Sequence, residues 1–191
     1  ANGRPIPTPQ PEGMPTWPGN QGATNWYPPG FSPRTGLFYV SAWPNYGSIF
    51  RRETVVYEPG RRFVGGGNQT VTPIPEALGV GIGRRGPINN WTDVVGHGAV
   101  IAIDPRTGHA KWTFNQYDVT DAGILTTATD LLFTGGRDGY FHALDARTGA
   151  LLWKSSLGAQ IVSGPITYQV DGKQYVTVIA GNIMTTFALR D

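Results

Sequence analysis

Three histidines are the side chains in this sequence best suited to acid–base or metal chemistry: His97, His109 and His142. No two of them have the spacing of metal ligands. His142 alternates with Tyr140 and Leu144 along one strand-like run, so we expect it to be a core or inter-blade residue whose hydrogen bonds are satisfied. His97 lies between two glycines and is a weak candidate for any role. With no Ser/His/Asp arrangement and no carboxylate pair of defined geometry, the sequence predicts no catalytic group and no metal ligand.

Several other kinds of site are disfavoured by composition. The sequence has no cysteine, which excludes a disulfide or a thiolate metal site within these 191 residues. A glycine run at 79–83 lacks the preceding strand and following helix that a phosphate-binding loop requires. The net charge is only +2, and the arginine pairs lie among glycines and prolines without an aromatic platform beside each pair, so they are read as solvated loop charge and no nucleic-acid partner is expected. No membrane span and no leader peptide are recognised.

An eleven-residue sequence pattern recurs with most of its residues unchanged or similar. AIDPRTGHAKW at 102–112 returns as ALDARTGALLW at 143–153, and a weaker copy, SPRTGLFY, begins at residue 32. A period of roughly 40–45 residues is typical of a four-stranded propeller blade. The Asp can accept backbone N–H groups and the Gly can adopt the positive φ of a turn. We expect Trp112 and Trp153 to pack between blades, with each indole N–H bonded to a backbone group.

The composition and the strand pattern both favour an all-β fold. Aromatic residues make up 12% of the sequence and charged residues 15%, with 27 glycines and 16 prolines. No sustained 3.6-residue apolar period predicts a long helix. Strands are predicted at 23–27, 36–42, 54–57, 61–64, 99–104, 110–114, 131–134, 140–145, 150–154, 166–170, 173–180 and 185–189. The pair Asp171-Gly172 predicts a two-residue hairpin turn. These strands make about three β-propeller blades, fewer than the roughly four to eight that close a ring.

The chain divides into two parts by composition. Residues 1–20 contain six prolines and read as a Pro-rich extended arm or inter-blade connection. Residues 21–191 read as propeller blades with an irregular insertion at about 44–95, all within one larger propeller domain.

Two long strings carry a family resemblance. The string DLLFTGGRDGYFHALDARTGALLWKSSLGAQIVSGPITYQVDGKQYVTVIAGN, from residue 130, resembles the C-terminal blades of the methanol/ethanol dehydrogenases that use pyrroloquinoline quinone (PQQ). The string GATNWYPPGFSPRTGLFYVSA, from residue 22, resembles a segment a few blades earlier in the same family. The resemblance implies the C-terminal third of a presumed eight-bladed quinoprotein propeller. The repeated string matches the family's tryptophan-docking motif, which is a packing device.

The resemblance also implies contacts with the quinone cofactor. Asn25 matches an asparagine that contacts the quinone, and its amide offers two donors and an acceptor; the alternative is an Asx turn at a strand start. Trp26 would line the same site, or be a core residue of a strand. Gly181 and Asn182 match a later cofactor contact, although Asn182 stands where the family has an aromatic residue.

Asp121 is a departure from the family pattern, because many members have a tryptophan there. A carboxylate beside an anionic tricarboxylate quinone is repulsive unless it is screened. Asp121 could turn away, pair with a nearby arginine or mark an altered pocket; the sequence slightly favours an exposed loop residue.

The implied function is the C-terminal part of a PQQ-dependent alcohol dehydrogenase, which contributes to the quinone pocket and to propeller closure. The catalytic Asp and the calcium or lanthanide ligands would lie outside this sequence, so the chain alone is expected to be inactive. Expected partners are the remaining propeller blades, a small primary alcohol and a cytochrome c-type electron acceptor, in the periplasm. The alternative is a non-catalytic propeller scaffold with quinoprotein-like repeats, and a third possibility is self-association that completes a ring.

Overall fold

The computed structural model describes residues 15–16, 22–44, 47–52, 54–61, 63, 66–71, 98–117 and 120–189. All regular secondary structure in these residues is β. The strands are β1 (Pro15–Thr16), β2 (Gly30–Ser32), β3 (Leu37–Ala42), β4 (Gly47–Arg52), β5 (Gly66–Val71), β6 (Ala99–Ile103), β7 (Ala110–Asn115), β8 (Leu125–Thr126), β9 (Leu131–Gly135), β10 (Tyr140–Asp145), β11 (Leu151–Ser156), β12 (Ile166–Val170), β13 (Lys173–Ala180) and β14 (Ile183–Ala188).

The strands form consecutive antiparallel sheets. The first blade has the order β2-β3-β6-β7, the second blade β8-β9-β10-β11, and the third blade β12-β13-β14. A separate sheet, β1-β4-β5, takes two of its strands from the chain between β3 and β6. The all-β class and the blade architecture predicted from the sequence are confirmed.

The two copies of the repeated string form the same turn at the same place in two blades. The carboxylates of Asp104 and Asp145 each accept the backbone N–H two residues later, at 3.0 and 2.8 Å. Their backbone carbonyls each accept the N–H of Gly108 or Gly149 at 2.8 Å. Both glycines have φ 74°, which an L side chain rarely adopts. In each turn, the arginine two residues after the aspartate donates guanidinium hydrogen bonds to the carboxylate. These hydrogen bonds lower the pKa of the aspartate.

The weaker third copy has the same turn chemistry in a different position. The N–H of Gly36 donates to the Ser32 carbonyl at 2.8 Å, and Gly36 has φ 69°. This turn joins the first two strands of its blade, whereas the full copies join the third and fourth. Its Arg34 makes a 2.9 Å ion pair with Asp130 in the matching turn of the second blade. The third copy is therefore not another repeat unit.

Trp112 connects the first blade to the second, as expected. Its indole Nε1 donates to the Ala146 carbonyl at 3.1 Å, and the buried Tyr39 hydroxyl donates to the same oxygen at 2.9 Å. The Trp112 ring lies directly over Gly149, where an added Cβ would be 2.6 Å from Cε3. A cluster of apolar residues from both blades surrounds this contact: Leu37, Val100, Ala102, Ile124, Leu132 and Leu144.

The second and third blades pack through aromatic rings. Phe141 stacks on Phe133 and on Phe187, with ring centroids 5.9 and 5.6 Å apart. Trp153 contacts Phe187 edge-on at 5.2 Å but is 41% exposed. Among the described residues its indole N–H has no hydrogen-bond partner. The two tryptophans of the repeat therefore share a packing position but only Trp112 is bonded to a neighbouring blade.

The strand predictions from residue 99 onward agree with the structure within two residues, although the short β8 was missed. The predicted strand at 23–27 is wrong, because β2 begins only at Gly30. The predicted strand at 54–57 is also wrong, because Val56 and Tyr57 are 80% and 66% exposed and pair with no strand among the described residues. The strand predicted at 61–64 lies partly outside the described residues. β-branched and aromatic residues favour strands only where a partner is available. The glycine run at 79–83, His97 and residues 1–14 lie outside the described residues.

The contact between Trp112 and Gly149 can be tested with a matched pair of glycines. Gly108 and Gly149 have the same φ of 74°, but a Cβ at Gly108 would meet nothing within 4 Å. Gly108→Ala should cost about 1–2 kcal/mol for the left-handed backbone. Gly149→Ala should cost about 1–3 kcal/mol more, because its methyl group overpacks the tryptophan ring. Urea unfolding followed by circular dichroism measures both, and equal losses would contradict the packing role.

Candidate functional site

Antiparallel connectivity brings the inter-blade connectors to one end of the blades. We call this the connector end: it holds segments 22–29, 120–124 and 157–165 and the turns at 136–139 and 181–182. The repeated turns at 104–109 and 145–150 lie at the opposite end, because each is one strand length away. All five residues predicted to bind cofactor belong to the connector end.

The three connectors contact one another directly. The Ile124 N–H donates to the Pro28 carbonyl at 2.9 Å, and the Gly123 N–H donates to the Ser163 carbonyl at 3.3 Å. A Cβ added to Gly123 would lie 2.8 Å from both the Gly164 Cα and the Pro28 ring. Glycine at position 123 therefore allows three consecutive blades to meet at their innermost strands.

Buried hydrogen bonds from the first blade fix the middle connector. The Trp43 indole donates to the Thr120 carbonyl and the Ser41 hydroxyl to the Ala122 carbonyl, both at 2.6 Å. The Thr24 hydroxyl donates to the Ser41 carbonyl at 2.7 Å. Because these carbonyls are satisfied by buried side chains, the backbone on both sides of residue 121 is held in place.

Asn25 and Trp26 lie exposed on the first connector. The Asn25 Oδ1 accepts the Trp26 N–H at 2.8 Å, and no strand begins here. Trp26 is 69% exposed, so its interpretation as a core residue is wrong. Tyr27 beneath it is buried and supports the indole at a ring distance of 5.1 Å. An exposed amide and an exposed aromatic plane thus stand side by side on a rigid base.

Asp121 is buried and paired, so its interpretation as an exposed loop residue is wrong. The Arg137 Nε donates to Asp121 Oδ2 at 2.8 Å, and the Arg137 Nη2 donates to the same oxygen. Each side chain is only 7% exposed. Of the alternatives open at the sequence level, pairing with a nearby arginine is the one the structure shows. The pair ties the connector to the turn between β9 and β10.

Gly181 and Asn182 form the turn between β13 and β14. The Gly181 N–H donates to the Gln160 carbonyl at 2.8 Å, and its φ is 56°. A Cβ at Gly181 would lie 3.0 Å from the Ala159 Cβ, so this turn sits closely on the third connector. Asn182 is exposed. Gly181 and Asn182 therefore lie against the third connector, whereas Asn25 and Trp26 lie on the first.

Two polar residues at the connector end were missed from the sequence. Neither Arg137 nor Gln116 is identified as a candidate from the sequence. Gln116 is 3% exposed; its Nε2 donates to the Gly135 carbonyl at 2.8 Å, while its Oε1 has no partner among the described residues. No sequence signal identifies either residue, because the partners are brought together by strand pairing.

The donor set at this end fits a quinone in part. Asn25 and Trp26 present an exposed amide and an exposed indole, and the buried Gln116 Oε1 is an acceptor with no partner among the described residues. Arg137 is the buried cation, although Asp121 already neutralises it. Among the described residues, no group of three His, Asp or Glu side chains could hold a metal ion. Within the same residues, no helix could span a membrane.

His142 is buried between the first two blades, as expected. It is 6% exposed and its ring is 5.4 Å from Phe114. Its Nδ1 has no partner among the described residues, so the expectation that its hydrogen bonds are satisfied is wrong. Burial lowers the pKa of His142; Asp138 opposes this effect and Lys154 adds to it. The neutral imidazole is therefore the form that the packing stabilises.

The buried neutral His142 predicts a pH dependence of stability. As the pH falls below about 6.5, the unfolded chain binds a proton that the folded chain does not, so the free energy of unfolding falls. His142→Gln should flatten this loss between about pH 6.5 and 5. His109→Gln, at an exposed position, should show the same dependence of the free energy of unfolding on pH as the wild type. Urea unfolding at a series of pH values measures the slopes, and identical slopes for wild type and His142→Gln would refute the assignment.

The sequence matches the family described as the glucose/ethanol/alcohol dehydrogenase beta-propeller domain, PQQ, over residues 118–176. It is 39% identical over 160 residues to a quinoprotein ethanol dehydrogenase of Pseudomonas putida, covering 84% of this chain and 22% of the relative. It is 32% identical over 192 aligned residues to a 1-butanol dehydrogenase (cytochrome c) of Thauera butanivorans, covering 94% of this chain and 25% of the relative.

The fold comparison points to the same group of proteins. A europium-containing methanol dehydrogenase superimposes with a TM-score of 0.69 and 32% sequence identity, covering 87% of this chain and 27% of that protein. The chain thus spans about a fifth to a quarter of the length of the curated relatives it matches.

Proposed function

We propose that this chain forms the C-terminal blades of a PQQ-dependent quinoprotein alcohol dehydrogenase and encloses one side of the quinone. The observation that carries the proposal is the similarity to a quinoprotein ethanol dehydrogenase across 84% of the chain. The proposed assembly oxidises a small primary alcohol, and the chain by itself is inactive.

The connector end is the side of the blades that we assign to the quinone. Asn25 presents its amide to a quinone carbonyl or carboxylate, and the exposed Trp26 indole lines the same space. Gly181 permits close approach at the third connector, with Asn182 beside it. Asp121 takes part indirectly, through Arg137. The chain's own contribution is to bind and orient the cofactor and to exclude water from one of its sides.

The outward face of the third blade supports the presence of further blades. The strand register places Ile166, Tyr168, Ile179 and Met184 on one face. These side chains are 58%, 41%, 47% and 70% exposed. A contiguous apolar face of this kind marks an interaction surface. We assign it to the next propeller blade, since the other face of this sheet already packs on the second blade through Val176, Val178 and Phe187.

The metal ligands, the catalytic base and the electron acceptor of the proposed enzyme lie outside these residues. Bound PQQ supplies two-electron oxidation of the alcohol, and calcium or a lanthanide, with a catalytic Asp, would come from the remaining blades. A relative named as cytochrome c-linked supports a cytochrome c-type electron acceptor. The same similarity supports a proposed periplasmic location. In this account the repeated Trp112 and Trp153 are the tryptophan-docking residues that hold the ring of blades together.

Asn25 provides a direct test of cofactor binding. Asn25→Asp is nearly isosteric and keeps the Oδ1 that accepts the Trp26 N–H, so the fold should be unchanged. The variant loses two N–H donors and places a negative charge against an anionic quinone. We expect the Kd for PQQ to rise by about ten- to a hundredfold, since a charged hydrogen bond is worth about 1.5–3 kcal/mol. Quenching of tryptophan fluorescence on titration with PQQ measures the affinity.

The matched control is Gln169→Glu, which adds the same charge on the exposed β12. It should leave PQQ affinity unchanged, and neither substitution should alter the thermal unfolding temperature. Wild-type affinity in Asn25→Asp would remove Asn25 from the proposed site. Failure of the native protein, with any accompanying polypeptide, to bind PQQ would overturn the proposed function.

A further inference from the structure

We propose that Arg137 is an anion-binding residue at the connector end, which takes a carboxylate of the ligand on the edge of its guanidinium that Asp121 does not use. The inference rests on the proposed function for the identity of the ligand, a quinone that carries carboxylates. It adds a binding residue that the family resemblance does not assign.

The guanidinium geometry leaves one edge available. A guanidinium is planar, with one hydrogen-bonding edge formed by Nε and one Nη and another formed by the two Nη groups. Arg137 directs Nε and Nη2 to a single oxygen, Asp121 Oδ2. Among the described residues, no hydrogen bond uses Nη1. The second edge therefore remains suited to a bidentate carboxylate.

The position of Arg137 is fixed by burial. Its side chain is 7% exposed, so its stem is held by packing and its charge is largely desolvated. The carboxylate of Asp121, equally buried, keeps the guanidinium in one orientation. An arginine that is already ordered loses little entropy when it binds a ligand, which favours affinity. The Asp121 charge lowers the net attraction for an anion but supplies this ordering.

The surroundings of Arg137 supply a second polar group without a partner. The buried Gln116 amide lies beside the adjacent Gly136: its Nε2 is 3.5 Å from where a Cβ on that glycine would be. Its Oε1 has no partner among the described residues. Asp138, the other nearby charge, is engaged with the Tyr140 N–H at 3.1 Å. The ligand chemistry favoured here is a carboxylate next to an N–H donor, as in a pyrrole-2-carboxylate, a unit that PQQ contains.

The test uses two probes, PQQ and pyrrole-2-carboxylate, on the native protein with any accompanying polypeptide retained. Arg137→Gln should raise the Kd for both probes at least tenfold. Asp121→Asn keeps the arginine and an oxygen that can orient it but removes the opposing charge, so it should tighten the binding of both probes. Arg147→Gln, which breaks the analogous but 64% exposed pair with Asp145, should have no effect. Fluorescence quenching follows PQQ, and NMR line shifts follow the small carboxylate.

The double variant Asp121→Asn with Arg137→Gln controls for folding, since it removes both buried charges together. It should fold and should bind as weakly as Arg137→Gln. Were the pair only structural, Asp121→Asn and Arg137→Gln would weaken binding equally, and the double variant would restore it; that pattern overturns the proposal.

The two probes separate this inference from the proposed function. If PQQ binds with no dependence on Arg137, the proposed function stands and the anion site is wrong. If pyrrole-2-carboxylate binding depends on Arg137 while PQQ does not bind, the anion site stands and the proposed function is wrong. If neither probe binds the native protein, both are wrong.

Discussion

The contact on which the blades depend is a single backbone carbonyl, that of Ala146. It accepts hydrogen bonds from the Tyr39 hydroxyl at 2.9 Å and the Trp112 indole at 3.1 Å, both from the preceding blade. Two aromatic side chains thereby bury their rings and satisfy their polar ends at one oxygen. Because Gly149 lets the indole approach the backbone, the first and second blades are held in one relative position.

This fixed relative position of the blades also positions the polar residues at the connector end, at the other end of the strands. Once the sheets are stacked, the connectors meet at Gly123, and hydrogen bonds from Ser41 and Trp43 hold the middle connector. Asp121 can then be buried against Arg137, since removing either charge alone would leave the other desolvated and unpaired. The buried ion pair at the connector end therefore depends on the packing of the blades at the opposite end.

The strands and the repeat were predictable from the sequence because their determinants are local. A run of aromatic and apolar residues predicted β10, and Asp171-Gly172, with φ 51° and 79°, forms the expected hairpin turn. The strand predicted at 23–27 failed because Trp26 has an apolar side chain but no neighbouring strand to cover it. Pairing of Asp121 with an arginine was one alternative from the sequence, but Arg137 could not be identified as the partner, because 16 residues and two strands separate the two side chains. The buried Gln116 oxygen, which has no partner among the described residues, could not be predicted either, since only the fold shows which amides are buried.

Native mass spectrometry of the protein isolated from its source tests the central claim most directly. The account predicts a mass well above the 20.6 kDa of these residues, with further polypeptide and one bound quinone and metal. A 20.6 kDa species, alone or self-associated and without cofactor, would contradict it. These blades would then be a propeller unit whose role is structural.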